Sequence, residues 1–219
     1  MAIYVTSDAH GHVRALDEAL SKISLASDDT LYVLGDMIDR GPDPVGVIKL
    51  VRSLPNARVL KGNHEQIMLD AIIGQDPLDA ETWDINGGWT TRQQLNDMEF
   101  EAYEELVRWM AALPLYAVVE TEERPYLLVH AGIEMNAARA FLLEHGVYCA
   151  DGAGAVDADR ELLKQMLAVQ SSDDLLWIRH GYWDAPTGLL SAEGEGPVVV
   201  SGHTPTVSLG RYCEVGGLA

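Results

Sequence analysis

The chain has 219 residues, of which 47% are hydrophobic and 22% are charged. This composition is typical of a folded globular protein and excludes a largely disordered chain. The formal net charge is −19. The resulting negative field opposes DNA, RNA and anionic membrane surfaces, so we expect no nucleic-acid partner and no membrane partner.

The length fits one domain over residues 1–219. No apolar run approaches the ~18 residues of a membrane span, and the first residues lack the pattern of a secretory signal. Cys149 and Cys213 are too few for a disulfide framework and lack the spacing of a zinc ribbon. These features favour a cytoplasmic protein, and they leave its oligomeric state open.

The first half of the chain alternates short apolar runs with segments of helical period, the pattern of βαβ units. The runs 3–6, 31–34 and 58–60 are predicted strands. A helical stripe follows the first strand, and Pro44 opens a helix after the second. We therefore expect an open, largely parallel sheet at the start of the fold.

The second half mixes helices with a hairpin and late strands. Residues 66–113 have helical spacing, and 115–119 with 126–129 form a predicted β-hairpin. Further helices are predicted over 137–143 and 160–169, and late strands over 198–200 and near 211–215.

Five of the predicted strands end in side chains that can bind a metal or titrate. In an open α/β sheet, ligands bind beyond the carboxyl ends of the strands, so residues distant in sequence are expected to converge there. A single aspartate or histidine after a strand is usually a turn former or an ordinary polar side chain, but five such ends together favour a metal site. These residues are Asp8 with His10, Asp36 with Asp39, Asn63 with His64, His130, and His203.

The order and spacing of these residues and their glycines resemble the motifs of the calcineurin-like metallophosphoesterases. More narrowly, they are similar to the bacterial branch of the phosphoprotein phosphatases. The motifs are Asp8-Ala9-His10-Gly11, Gly35-Asp36-Met37-Ile38-Asp39-Arg40-Gly41, Gly62-Asn63-His64-Glu65, His130-Ala131-Gly132 and Gly202-His203-Thr204-Pro205.

The resemblance implies an α/β fold of the αββα type, with two mixed β-sheets flanked by helices and a metal site at the carboxyl ends of the strands. It implies two divalent ions, with manganese as the first expectation and iron, zinc, nickel or magnesium as alternatives. Asp36 would bridge them. The implied ligands are Asp8, His10 and Asp36 for one ion, and Asp36, Asn63, His130 and His203 for the other.

The resemblance also implies catalytic roles. Two such ions lower the pKa of a shared water, which gives a hydroxide for in-line attack on phosphorus near neutral pH. His64 would protonate the leaving oxygen, and Asp39 would orient its imidazole. Arg40 and Arg179 would grip the phosphoryl oxygens together with Asn63.

The function implied first is a metal-dependent protein serine/threonine phosphatase, which could also accept phosphotyrosine. Its partner would be a phosphorylated protein or a small phosphoester. Pro205 stands where related nucleases usually have a further histidine, which with the negative charge argues against nucleic acid. The alternative is a symmetrical diadenosine tetraphosphate hydrolase, disfavoured by the shortness of the chain. A catalytically inactive phosphoprotein-binding module is a third interpretation, but no ligand of the pattern is lost.

Overall fold

A computed structural model of the chain describes residues 1–74, 76–147, 149 and 151–205. The chain divides into two compact units, Met1–Pro114 and Leu115–Ala219. A single domain over residues 1–219 stays a prediction. Within the described residues, no helix combines the length and the apolar character that crossing a membrane requires.

The first unit contains a parallel three-stranded sheet with helices between and after its strands. The strand order is β1-β2-β3, and Ile3 pairs with Thr30 while Leu31 pairs with Ala57. The prediction of a parallel start is therefore confirmed. Its elements are β1 (Ile3–Thr6), α1 (Val13–Ile23), β2 (Thr30–Val33), α2 (Pro44–Ser53), β3 (Ala57–Val59), α3 (Asn63–Ile73), α4 (Pro77–Ile85), α5 (Trp89–Asn96) and α6 (Phe100–Ala111).

Helix α2 shows how the sequence dictates these elements. The Asp43 carboxylate accepts the Gly46 N–H at 2.9 Å, which satisfies a donor at the helix start, and Pro44 occupies the first turn. The helix buries a stripe that includes Val47 and Val51 in the core that also contains Leu31 of β2. Burial of such side chains contributes about 1.5–3 kcal/mol each.

The second unit contains a mixed three-stranded sheet. Strands β4 and β5 form the predicted antiparallel hairpin, and β6 pairs with β5 in parallel. The predicted strand near 211–215 lies outside the described residues. The elements are β4 (Tyr116–Glu120), β5 (Pro125–Val129), α7 (Met135–Glu144), α8 (Arg160–Ala168), α9 (Ser172–Trp177) and β6 (Val198–Val200).

The two sheets and their helices confirm the predicted α/β class, with two small sheets flanked by helices. One detail differs from the expectation of two mixed sheets, because all described strands of the first sheet run parallel. Each of its connections crosses over through at least one segment of helix, so its strands enter the sheet in the same direction.

Asp29 fixes the start of the first sheet. Its carboxylate accepts the Ala2 N–H at 2.6 Å and the Ala26 N–H at 3.0 Å, which ties the beginning of β1 to the turn before β2. These two backbone N–H groups lower the pKa of Asp29 because they stabilise its charged form.

Asp29→Asn should destabilise the protein at pH 7, and the deficit should shrink as the pH falls. The folded-state pKa lies below the unfolded value of about 3.9, so this stabilisation is present above that value and is lost on acidification through the folded pKa. Urea unfolding between pH 7 and pH 3.5 measures it. Asp17→Asn, at an exposed position of α1, is the matched control. A deficit independent of pH would contradict the prediction.

Candidate functional site

Most of the strained backbone falls on predicted site residues. Among the described residues, eight non-glycine residues have a positive φ. Such conformations are uncommon outside glycine and persist where the surrounding structure enforces them, often at functional sites. Six of the eight are predicted site residues, namely Asp8, His10, Asp36, Asp39, Arg40 and His203.

The turn after β1 presents His10 as a neutral imidazole. Its Nδ1 lies 2.9 Å from the Ile38 carbonyl oxygen, so Nδ1 carries the hydrogen and Nε2 keeps its lone pair. Burial lowers the pKa of His10 to about 4, against the raising effect of this hydrogen bond. His10 is therefore neutral at pH 7, the form in which histidine binds metals.

The turn after β2 is held by Glu65, the third residue of α3. The buried Glu65 carboxylate accepts the N–H groups of Asp36, Met37 and Gly62, each at 2.8 Å. Its two oxygens thus join the turns that follow β2 and β3. Gly62 must lack a side chain, because a Cβ there would collide with the Asp36 carboxylate.

Asp36 is a buried carboxylate in a negatively charged neighbourhood. Burial raises its pKa well above the ordinary range, and the Glu65 and Asp8 carboxylates raise it further. Burial also raises the pKa of Glu65, although the three backbone N–H groups oppose that shift. Such a cluster favours either a bound proton or a nearby cation.

His64 and Asp39 form a buried pair. His64 Nδ1 lies 2.7 Å from Asp39 Oδ2, and both residues are almost completely buried. The His64 backbone N–H also donates to Asp36 Oδ1 at 3.0 Å, which fixes the start of α3 beside the Asp36 carboxylate.

Arg40 lies against both imidazoles. Its guanidinium donates to His10 Nε2 at 2.9 Å and to His64 Nε2 at 2.7 Å. Both Nε2 atoms therefore accept hydrogen bonds, and both lie against the Arg40 guanidinium. The Arg40 backbone N–H donates to the Gly87 carbonyl at 3.0 Å, and a Cβ at Gly87 would approach the Arg40 side chain at 2.9 Å.

The donor set of the first unit fits a divalent cation. Ligand atoms of His10, Asp36 and His64 lie within 4.8 Å of one another. Nitrogen and carboxylate oxygen ligands of this kind suit manganese, iron, zinc or nickel. Asp8 follows β1, with its carboxylate 3.9 Å from His10 Nε2, and Asn63 is the buried first residue of α3.

The second unit brings its own two predicted histidines together. His130 directly follows β5, His203 follows β6, and both are buried. His130 Nε2 lies 3.2 Å from His203 Nδ1, and the Gly202 N–H donates to the His130 carbonyl at 2.8 Å. This separation fits an N–H···N hydrogen bond, and it also fits two nitrogens at about 2.1 Å from one ion.

Arg179 belongs to the second unit and is exposed just beyond α9. Its predicted role in gripping phosphoryl oxygens stays a prediction. The roles of the other predicted site residues as ligands or catalysts are likewise predictions that the geometry of each unit accommodates.

Three residues of the site region had no assigned role in the sequence. Glu65 stands in a recognised motif, and its position three residues after Gly62 at a helix start is the one available signal, because this spacing is typical of a capping box. Trp83 and Thr91 had no signal. The structure places both side chains on the Asp39 carboxylate, at 3.0 Å and 2.6 Å from Oδ1.

Comparison with known proteins identifies the family. The family model described as calcineurin-like phosphoesterase matches residues 1–217. The chain therefore belongs to the calcineurin-like phosphoesterases, as its motifs predicted, and it is a hydrolase of that metallophosphoesterase family.

Two curated relatives share one name, "Bis(5'-nucleosyl)-tetraphosphatase, symmetrical". The protein from Proteus mirabilis is 32% identical over 225 residues, which cover 99% of this chain and 70% of the relative. The protein from Erwinia tasmaniensis is 32% identical over 136 residues, or 61% of this chain and 45% of the relative. In that second alignment the chain spans about half the length of the relative it matches.

A solved metallophosphoesterase from Sphaerobacter thermophilus is 27% identical, with a TM-score of 0.42, and the match covers 59% of this chain and 46% of that one. A TM-score at this level does not identify a shared fold, so the family assignment rests on the sequence match.

The prediction of a protein serine/threonine phosphatase is wrong, because the curated relatives are named as symmetrical tetraphosphatases. The alternative interpretation is the one that these relatives support. The physical reason for the error is that the five motifs hold the groups that act on phosphorus, which both classes of enzyme need. They carry no information on what is attached to the phosphate.

Glu65→Gln should destabilise the protein, because an amide offers one acceptor oxygen where three backbone N–H groups need two. Each buried donor left unsatisfied costs about 1–3 kcal/mol. Urea unfolding of metal-free protein measures the free energy of unfolding. Glu81→Gln, at an exposed position in α4, is the matched control. Equal stability of the two variants would show that Glu65 does not hold the turns.

Proposed function

We propose that this chain is a metal-dependent hydrolase of dinucleoside tetraphosphates that cleaves them symmetrically. The observation that carries the proposal is the relative from Proteus mirabilis with that name, which aligns with 99% of this chain at 32% identity. The described side chains are of the types that hydrolysis of a phosphoester or a phosphoanhydride requires. They include candidate metal ligands, a candidate acid and a candidate phosphate-binding arginine.

The proposed metal ligands are Asp8, His10, Asp36 and Asn63 in the first unit, with His130 and His203 in the second. Support comes from the neutral His10 imidazole, from the buried Asp36 carboxylate beside Glu65, and from the paired nitrogens of the two later histidines. Divalent cations of this class supply Lewis acidity and lower the pKa of water that they bind. Manganese is the proposed first metal to test.

The proposed acid is His64. Asp39 accepts its Nδ1–H at 2.7 Å, which directs Nε2 toward the face where Arg40 lies. A proton on Nε2 could pass to the oxygen that leaves phosphorus, and the Asp39 carboxylate would stabilise the charged imidazole. Arg40 is proposed to bind phosphoryl oxygens through its guanidinium fork, which requires it to exchange its present imidazole partners for the substrate.

Symmetrical cleavage of diadenosine tetraphosphate breaks one bond between phosphorus and the central bridging oxygen. Water supplies the oxygen that replaces it on phosphorus, and the bridging oxygen leaves with the other half. One tetraphosphate and one water thus give two molecules of ADP. Terminal phosphates have a second pKa of about 6, so the leaving diphosphate needs less protonation than an alkoxide would.

Diadenosine tetraphosphate should be hydrolysed to ADP alone when chelated protein is supplied with manganese. Anion-exchange chromatography identifies the products, and in ¹⁸O-labelled water half of the ADP should carry the label. A phosphoserine peptide serves as the comparison substrate and should react more slowly. Formation of AMP with ATP, or turnover of the peptide alone, would overturn the proposed function. Chelated protein without added metal is the control.

His64→Asn should retain metal but lose turnover, by about 10²–10⁴-fold for substrates with a poor leaving group. The loss should be smaller for para-nitrophenyl phosphate than for phenyl phosphate, because nitrophenolate leaves without much protonation. Metal analysis and kcat for both esters measure these effects. His145→Asn, at an exposed site after α7, is the control. Equal losses for both esters would remove the acid role.

A further inference from the structure

The Asp39 carboxylate contacts three donors from three different helices. Its Oδ2 accepts from His64 Nδ1 of α3, as described above. Its Oδ1 accepts from Trp83 Nε1 of α4 at 3.0 Å and from the Thr91 hydroxyl of α5 at 2.6 Å. Oδ1 therefore binds donors from α4 and α5, and Oδ2 binds the His64 imidazole.

Thr91 also controls the backbone of Asp39. The Asp39 N–H donates to Thr91 Oγ at 2.9 Å. A hydroxyl has one hydrogen, so Thr91 accepts from this N–H and donates to Oδ1, which fixes the hydroxyl orientation. Asp39 has a φ of 69°, a left-handed conformation that is uncommon for aspartate. The Thr91 hydroxyl thus binds both the backbone N–H and the carboxylate of Asp39, and it stabilises a backbone conformation that is otherwise unfavourable.

The whole arrangement is shielded from water. Asp39 and Thr91 have no exposed surface, and Trp83 is 3% exposed. A Cβ at Gly88 would collide with the Trp83 ring, so the turn before α5 packs directly on that ring. Side chains held in such a packed, dry environment have few alternative rotamers.

We infer that Trp83 and Thr91 are positioning residues for the Asp39–His64 pair, which they hold in the orientation that His64 needs as an acid. The inference rests on the acid role proposed for His64, not on the identity of the substrate. Their action passes through Asp39, because Trp83 Nε1 and the Thr91 hydroxyl both donate to its carboxylate and the Thr91 hydroxyl also accepts its backbone N–H.

The chain offers a matched pair of threonines for the test. Thr90 and Thr91 are adjacent in α5 and both are buried. The Thr90 hydroxyl lies 3.5 Å from the Gly87 carbonyl, at the limit of a hydrogen bond, whereas Thr91 contacts Asp39 twice. Replacing either threonine with valine removes one hydroxyl from α5 and keeps the size of the side chain nearly unchanged.

Thr91→Val should lower kcat for phenyl phosphate by about tenfold, the scale of losing one charge-assisted hydrogen bond. It should affect para-nitrophenyl phosphate less and leave metal content unchanged. Thr91→Ser should restore the rate, and Thr90→Val should keep it. Trp83→Phe, which replaces the indole with a smaller ring that has no N–H donor, should act in the same direction as Thr91→Val, and it is the test variant if Thr91→Val does not fold.

A second readout does not depend on activity. The proton on His64 Nδ1 should give a low-field ¹H NMR signal that His64→Asn removes, and Thr91→Val should shift or broaden that signal while Thr90→Val leaves it in place. An unchanged signal together with equal losses for both esters would overturn the inference. Because aryl phosphates contain no nucleoside, failure to cleave diadenosine tetraphosphate would refute the proposed function without touching this result.

Discussion

The site region of the first unit depends on one buried carboxylate. Glu65 accepts the backbone N–H groups of two strand-end turns, which lie beyond Val33 and Val59, the last paired residues of β2 and β3. The approach of the turns is possible because Gly35 and Gly62 lack side chains, since a Cβ on Gly35 would collide with the Gly62 backbone. The same contact orients Asp36, whose carboxylate then receives the His64 N–H at the start of α3. The Glu65 carboxylate therefore fixes the positions of the two strand ends, and through Asp36 it also fixes the start of the helix that carries His64.

Much of this region could be predicted from the sequence because the strands of a parallel sheet are short apolar runs separated by segments of helical period. The predicted strand at 3–6 coincides with β1, and the runs at 31–34 and 58–60 differ from β2 and β3 by one residue at each end. Polar residues directly after such runs must lie at the carboxyl edge of the sheet. The positions of Asp8, Asp36 and Asn63 relative to their strands follow from this rule without knowledge of any contact.

The contacts of Asp39 could not be predicted in the same way. Trp83 and Thr91 lie 44 and 52 residues beyond it, and each is an ordinary residue for the buried face of a helix. Only the packing of α4 and α5 brings their donors to one oxygen. The contact of Arg40 with two imidazoles was not predicted either, because the motif resemblance assigned its guanidinium to the phosphoryl oxygens of a substrate. The positive φ of both residues turns their side chains to partners distant in sequence.

The negative net charge excludes fewer classes of substrate than the sequence alone suggested. At physiological salt, charges interact over about 8 Å before screening dominates, so most of the 34 acidic side chains have little effect on a phosphate bound at the site. The local balance is different, because His10 and His64 face the Arg40 guanidinium and because the carboxylates of Asp36 and Glu65 favour a cation beside them.

A field that opposes a long polyanion, whose phosphates would extend across the acidic surface, would act far less on a short tetraphosphate held by the Arg40 guanidinium and by divalent cations at the site. The charge argument against nucleic acid and the proposal of a dinucleotide substrate are therefore compatible. What separates a phosphopeptide from a dinucleoside tetraphosphate is contact with the groups attached to phosphorus, and neither net charge nor the five motifs describe those contacts.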